Sequence, residues 1–500
     1  MSETYNHGIT IVEVDDGVEA IQTVSSSVVA FAGTAPDAEG GLSASLTTGS
    51  GKSALVFTAK AENATGNNLS VTFIHGGESS DLSVALVGKN IQVTLATDGS
   101  GKITSTANSV KAALEANGDI SGLVGVSSGG TGIVSAMSEK YLSGGVDEAF
   151  PLNTPVMVTP SDGKLARLGL RGTLYRAVSN AWTQYNCVSI IVRVAQVNSD
   201  SDPATISNVM GDLVARSGVY AFLTSKSVTG LHPRIIVAPG FSSDASVKSA
   251  LYAVTKKLDG FCFIDAPLGS TPAEALDYAG DVDSRYGMVC KPYILVARQE
   301  GNKLEPQSSL WAGAMSGNDN KRGFWVSPSN TPVEGIIGLE HPVDYVFGDS
   351  TCLANVLNAG NVSTIIRENG FRLWGNRTTS SDSKWQFVNV VRTAQILNAS
   401  IAENHQSAID KGLTTTYYTA VAEGVNAYMR TLIAKGALVG TQNVGNKVNC
   451  CIPNSELNTA ANITQGKAYF DVYFTATYPA EQIVFRSILN TNGLAEISEL

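Results

Sequence analysis

The sequence is poor in the residues that carry most enzyme chemistry. Its five histidines are scattered over 500 residues without ligand spacing. The six cysteines (Cys187, Cys262, Cys290, Cys352, Cys450 and Cys451) include no C-x-x-C pair, which removes the zinc-ribbon and dithiol-redox readings. Several sit in apolar, strand-like runs, where a small buried hydrophobe is the plain reading, and folding in a reducing cytoplasm is expected. No run approaches 18 apolar residues, so no transmembrane helix or membrane insertion is expected. The opening MSETYNHG lacks the basic patch and apolar stretch of a secretory signal. Lys and Arg are absent from residues 1–37, which carry six acidic groups, and the net charge of the chain is -10. That balance argues against nucleic-acid binding. Dinucleotide (G-x-G-x-x-G) and zincin (H-E-x-x-H) motifs are missing, and no G-x-S-x-G elbow stands between an expected strand and helix.

What is present is apolar and well patterned. The chain is 43% hydrophobic and 16% charged, with length for about three domains of roughly 150 residues. The fold class expected is α/β and α+β multidomain: a central alternating β/α domain, an inserted β-rich α+β domain, and extended terminal arms with a C-terminal β-hairpin. Residues 1–37 form an acidic arm and entry strand. Residues 38–148 form a Gly/Ser/Thr-rich island, nearly free of aromatics, with strands at Leu55–Ala59, Leu69–Ile74, Leu82–Val87 and Ile91–Ala96 and a helix at Ala107–Asn117. Residues 149–350 alternate apolar runs (VSIIVRV, IIVA, FCFID, MVCKPYILV) with helices, which implies a parallel sheet covered on both faces. One helix starts at Asp202-Pro203 and carries Ile206, Val209, Met210, Leu213 and Val214 on one face; another starts at the capping box Thr271–Glu274. Residues 351–490 hold two striped helices, the second stopping at Gly436, and then a hairpin of Ala468–Thr477 and Gln482–Leu489. Residues 491–500 form a tail.

Several short stretches invite functional readings. Thr47–Ser53 reads TTGSGKS, close to a phosphate-binding loop. A true one needs glycine at position 46, which is Leu46, and a helix after it, whereas SALVFTAK has a strand period. Asp98-Gly-Ser-Gly-Lys102 repeats the turn in the same β-rich island, so loop chemistry is the better reading. Pro239–Ser243 is a strand-to-helix turn capped by Ser243. Asp265 ends a strand and is expected to cap a helix or lie at the surface. Glu340-His341 is a weak metal candidate in a loop. Arg367, Arg372, Arg377 and Arg392 surround Phe371, Trp374, Trp385 and Phe387. Nucleic-acid stacking would look similar, but structural arginines packed on aromatics and paired with carboxylates fit the strand alternation better.

Four stretches together resemble the contractile tail sheath proteins of bacteriophages with contractile tails. They are Tyr5–Ala38, Phe150–Thr159 (FPLNTPVMVT), Gly230–Ser243 (GLHPRIIVAPGFSS) and Glu368–Ser380 (ENGFRLWGNRTTS). The signature residues are Arg372, Trp374, Gly375, Asn376 and Arg377. The resemblance covers residues 1–38 and 150–490, so 38–148 looks like the inserted outer domain of longer members. It implies a structural, non-enzymatic subunit of the virion tail that uses no cofactor or metal and is assembled in the host cytoplasm. Its expected partners are other copies in hexameric rings stacked helically, the tail tube, and baseplate and tail terminator proteins. It further implies exchange of terminal strands between neighbours. Here that would involve Ile9, Ile11, Val12 and Val14 of the first arm, and Phe470, Val472, Phe474, Ile483, Phe485 and Ile488 of the hairpin. Strands without partners are poor elements for a monomer but good ones for β-augmentation. Lys411, Arg430 and Lys435 are the candidate contacts to an acidic tube, because Ser383–Lys447 carries six basic groups against three acidic ones. Three competing readings are the sheath of a headless contractile bacteriocin, an α/β nucleotide-utilising enzyme, and a carbohydrate-binding module in 38–148. The last has only Phe57, Phe73 and Tyr141 as stacking platforms.

Overall fold

Five short apolar runs find one another in parallel. In the computed structural model, which describes residues 21–491, Val29–Thr34, Ile235–Val237, Phe261–Asp265, Gly287–Cys290 and Val362–Arg367 pair side by side, with Val29 opposite Ile235, Ile235 opposite Phe261, Phe263 opposite Met288 and Val289 opposite Val362. Their side chains are buried on both faces, as a parallel sheet requires. Antiparallel strands close the two edges: Phe371–Trp374 with Pro332–Val333 on one side, Val156–Val158 beside Ser189–Val194 on the other. The result is a 9-stranded sheet.

Helices Pro203–Met210, Ala245–Lys257 and Pro272–Gly280 contribute to one core with the sheet, around Ile236, Ile264, Val209, Leu251, Val254 and Ala275. Against the sheet also lies Ser308–Lys321, buried along most of its length, whose Trp311 stacks on Phe263 at 6.0 Å. The capping box of Thr271 and Glu274 forms. The helix after Pro239–Ser243 is capped by Asp244, not Ser243: its carboxylate reaches two amides, Ser246 and Val247. The helix from Pro203 stops at Met210. Gly211 turns the chain at φ +69, where a Cβ would sit 2.0 Å from the Ser217 carbonyl oxygen, and Leu213 and Val214 are left exposed.

The run MVCKPYILV is not one strand. Pro292 has no amide to donate, so the ladder ends at Cys290, and Ile294–Arg298 joins a separate sheet with Gly301–Glu305 and Gly338–Leu339. Farther on, helices Val388–Asn404 and Thr415–Ala434 share a core of Ile396, Leu397, Val425, Tyr428, Met429 and Leu432. The expected hairpin of Ala468–Leu489 is absent. Phe470–Tyr473 pairs instead with Cys450–Pro453, with Cys451 opposite Val472, because both strands pack on Thr415–Ala434 and bury Cys451 there. Gln482–Leu489 is no strand in this chain. No helix of the described residues is long and apolar enough to cross a membrane.

By contact density the chain divides into two units. The elements above belong to the first. The second gathers Thr34–Thr154 and Ser161–Tyr175. It has a 4-stranded sheet (Ser83–Val87, Asn90–Leu95, Ser70–His75, Met137–Tyr141) and a 3-stranded one (Ser45–Thr48, Leu55–Ala59, Val124–Ser128). Helix Ala107–Ala116, capped by Thr106, closes a core of Leu55, Phe57, Val71, Phe73, Ile91, Val93 and Leu114.

Candidate functional site

The nucleotide-like loops hold no phosphate cradle. Gly51–Ser53 is a single 3-10 turn that leads into strand Leu55–Ala59, so no helix N-terminus faces it. In Asp98–Lys102 the Asp98 carboxylate closes the turn on itself, accepting from the Ser100 amide (2.9 Å), the Ser100 hydroxyl (2.7 Å) and the Lys102 amide (2.9 Å). Glu340 serves loop structure too, accepting from the Gly269 amide at 2.6 Å and the Tyr293 amide at 3.2 Å. No cluster of potential metal ligands exists among the described residues. Asp265 is buried rather than at the surface. Its carboxylate accepts from the Ser308 amide (2.9 Å), at the start of helix Ser308–Lys321, and from the Ser242 hydroxyl (3.1 Å). Burial pushes its carboxyl up to about 6, against those hydrogen bonds.

The signature stretch Arg372–Arg377 leads elsewhere. Arg372 Nε donates to Asn330 Oδ1 (2.8 Å), and Trp374 packs against Tyr345 with ring centroids 4.8 Å apart. Gly375 has φ +136, and a Cβ there would lie 2.3 Å from Ser363 Oγ. Buried Asn376 donates to Asn389 Oδ1 at 3.1 Å, and Asn389 Nδ2 donates to the Thr477 carbonyl at 2.8 Å. Arg377 makes a two-pronged pair with Glu481, Nε to Oε1 at 2.7 Å and Nη2 to Oε2 at 2.6 Å. Phe387 meets Tyr478 edge-on at 6.1 Å. Two of the five signature residues, Asn376 through Asn389 and Arg377 directly, thus converge with Phe387 on Thr477–Glu481, the root of the C-terminal segment. The four arginines divide as structural ones do. Arg377 pairs with Glu481 and Arg392 with Asp319, while Arg367 lies over Phe371 at 5.4 Å.

Past Glu481 the body lets go. Every residue of Gln482–Leu489 is exposed, and none of its backbone groups is hydrogen-bonded within the described chain. Ile483 is 69%, Phe485 89%, Ile488 74% and Leu489 96% exposed. In extended form Ile483 and Phe485 would share one face. Soluble monomers rarely leave such a contiguous apolar stretch in water, and an unpaired β-prone backbone invites an outside strand.

The other expected site residues are spread out. Phe470 and Val472 lie on the strand paired with Cys450–Pro453, and with Phe474 they pack half-buried on the body; the Phe470 ring is 5.6 Å from Tyr418. Ile9, Ile11, Val12 and Val14 lie outside the described residues. Lys411 precedes helix Thr415–Ala434 and Lys435 follows it, so about 30 Å of helix separates them. Arg430 bonds Gln442 Oε1 at 2.8 Å. The three exposed cations therefore do not form one compact patch. Sequence reading missed Glu481, Asn389 and Tyr478. Their roles arise from contacts across roughly a hundred residues of chain, and no local pattern marks them.

Residues 217–379 match the family model of the phage tail sheath protein central domain, and 380–490 that of the phage tail sheath C-terminal domain. A prophage major tail sheath protein of Pseudomonas aeruginosa is 35% identical over 73% of this chain and 93% of its own length. The tail sheath protein of Escherichia phage P2 is 32% identical over 70% of this chain and 88% of its own. Among solved structures, the contracted sheath complex of the extracellular contractile injection system PVC shares the fold with TM-score 0.54 at 18% identity, covering 69% of this chain and 89% of that one. The contracted helical sheath of the anti-feeding prophage gives TM-score 0.53 at 17% identity, covering 68% and 89%.

Proposed function

Because this chain belongs to the phage tail sheath family, we propose that it works by lending its terminal segments to neighbouring copies in a contractile sheath. It is a structural tail sheath protein, a component of a helical assembly. The subunits form hexameric rings stacked around a tail tube, and contraction drives the tube through the bacterial envelope. The work comes from free energy stored on assembly and consumes no nucleotide. The tail tube and the baseplate and terminator proteins are its partners. Assembly takes place in the host cytoplasm, and the finished protein resides in the virion tail.

The observation that carries this reading is the contrast at Glu481. Before it, the chain is clamped to the body through Arg377, Asn389 and Phe387; after it, an apolar β-prone segment has no partner of its own. A fixed root with a free end suits strand addition to a neighbour's sheet edge. Each main-chain bond nets about 0.5–1.5 kcal/mol, so a strand of several holds while the bodies slide. Head-to-tail contacts of this kind do not close on themselves and generate helices. The strand Phe470–Tyr473, whose edge away from Cys450–Pro453 no other described strand takes, is the acceptor this reading selects; the opposite edge is closed by Asn426, which bonds the Cys451 amide and carbonyl. The fold shared with sheaths of contractile injection systems fits the same mechanism for a particle without a head. Negative-stain microscopy tests it: the full chain forms tubes, and a chain ending at Glu481 stays as single subunits. Tubes from the shortened chain would overturn the reading.

A further inference from the structure

Gln482–Leu489 (QIVFRSIL) carries a single charge, Arg486. The residue is exposed and has no ion-pair partner among the described residues. In an extended segment side chains alternate between two faces. Ile483, Phe485 and Leu489 then share one face, interrupted only by Ser487. Val484 and Ile488 share the other, with Arg486 between them.

Strand Phe470–Tyr473 divides its side chains in the same way. Phe470 and Val472 turn to the core together with Phe474, so Asp471 and Tyr473 stand on the opposite face. Asp471 is half-buried. Its two carboxylate oxygens accept from Asn454 Nδ2 at 3.0 and 3.1 Å, and one of them accepts from the Tyr473 hydroxyl at 3.3 Å. It forms no ion pair among the described residues; the neighbouring cation, Lys447, lies over the Tyr473 ring at 5.3 Å. The backbone alternates as well. The Asn454 amide donates to the Tyr469 carbonyl at 2.9 Å, and Ile452 is opposite Asp471. The Asp471 and Tyr473 backbone groups therefore face Cys450–Pro453, and those of Phe470 and Val472 face the free edge.

A strand added to that edge must keep Phe485 on the core side. A slip of one residue would turn Arg486 inward toward Phe470, Val472 and Phe474 and leave Phe485 in water. A slip of two residues preserves the faces, so the apolar pattern alone does not exclude it. Charge does. We infer that Arg486 pairs with Asp471 of the partner subunit, and that this pair sets the register of the donated strand. With the two opposite each other, Phe485 and Ser487 lie beside the core-facing Phe470 and Val472 whichever way the strand runs. Either two-residue slip sets Val484 or Ile488 against the carboxylate and leaves the guanidinium unmatched. The pairing rests on the strand-exchange reading above. An opposite-charge pair across two strands is worth up to about 5-fold in an equilibrium constant, and like charges there are destabilising.

Charge exchange in the full-length chain tests it, with the critical concentration for tube growth read by pelleting. Arg486→Asp should raise that concentration about 5- to 10-fold and leave the subunit's melting temperature unchanged, because the side chain is exposed. In 1 M salt the penalty should shrink. Arg486→Asp combined with Asp471→Arg should return the concentration to within about 2-fold of the parent. If Asp471→Arg lowers the melting temperature, a double-mutant cycle of Asp471→Asn and Arg486→Gln replaces the exchange, and a coupling of at least ~2-fold is expected. An Arg486→Asp chain that assembles like the parent overturns the pair. So does a penalty that the exchange does not relieve, or a cycle that is simply additive. Tubes from the chain ending at Glu481 refute strand exchange itself; loss of those tubes without coupling between Arg486 and Asp471 refutes only the pair.

Discussion

Phe485 offers a direct measure of what the C-terminal segment contributes. It is 89% exposed, so Phe485→Ala removes nothing the isolated chain buries, and the subunit's melting temperature should not move. In a polymer that covers the segment, the ring is worth about 1.5–3 kcal/mol per contact. A central value of about 2 kcal/mol corresponds to roughly a 30-fold change in an equilibrium constant. Because each added subunit makes that contact once, the critical concentration for tube growth should rise by about the same factor. Pelleting across a dilution series, with the supernatant concentration read at the plateau, measures it directly. Phe485→Leu, which keeps most of the apolar area, should recover most of the loss. An unchanged plateau for Phe485→Ala would refute the reasoning. That result would mean that no neighbour covers the ring; a lowered melting temperature of the subunit would refute it too, since the ring's partner would then lie within its own chain.

Glu481→Gln loosens the root rather than the segment. The Arg377 and Glu481 side chains are 27% and 37% exposed, so the subunit should lose no more than about 0.2–1 kcal/mol in denaturant titration, and 1 M salt should erase the difference from the parent chain. Asp265→Asn should flatten the pH dependence of stability. The folded carboxyl titrates at about 6, above the ordinary aspartate range near 3.9, so burying its charge costs stability at neutral pH. The cost is relieved as pH falls through 6 and is gone near 4. The parent chain relative to the variant should therefore gain up to about 3 kcal/mol between pH 7.5 and pH 4, read from urea unfolding; an opposite slope contradicts the burial argument. Arg392→Met strands Asp319, which is 2% exposed and held by that arginine. A loss of about 3–5 kcal/mol is expected on chemical denaturation.

Much of the body was legible because local pattern decides element type. The unbroken apolar runs IIV and FCFID announce strands covered on both faces, and Thr271–Glu274 announces a helix start. Leu46, standing where a phosphate loop needs glycine, dismisses the nucleotide reading, as the strand after Ser53 then shows. The signature GFRLWGNRT pointed to the family that the comparisons establish. The misreadings were of extent and partner. MVCKPYILV looks continuous because apolar residues continue through it, yet Pro292 divides it between two sheets.

The sequence by itself determined the type of the main strands and helices, the helix starts at Asp202-Pro203 and at Thr271, and that Gln482–Leu489 is apolar and β-prone. Those properties depend on residues a few positions apart. Only the tertiary structure decided that Phe470–Tyr473 pairs with Cys450–Pro453 and leaves Gln482–Leu489 unmatched, that Arg377 grips Glu481, and that the Gln22 backbone is held by Asn404, nearly four hundred residues away. Strand partners and ion pairs go to whichever group the packed core brings nearest. That proximity is set by the whole chain at once, so no local stretch of it carries the information.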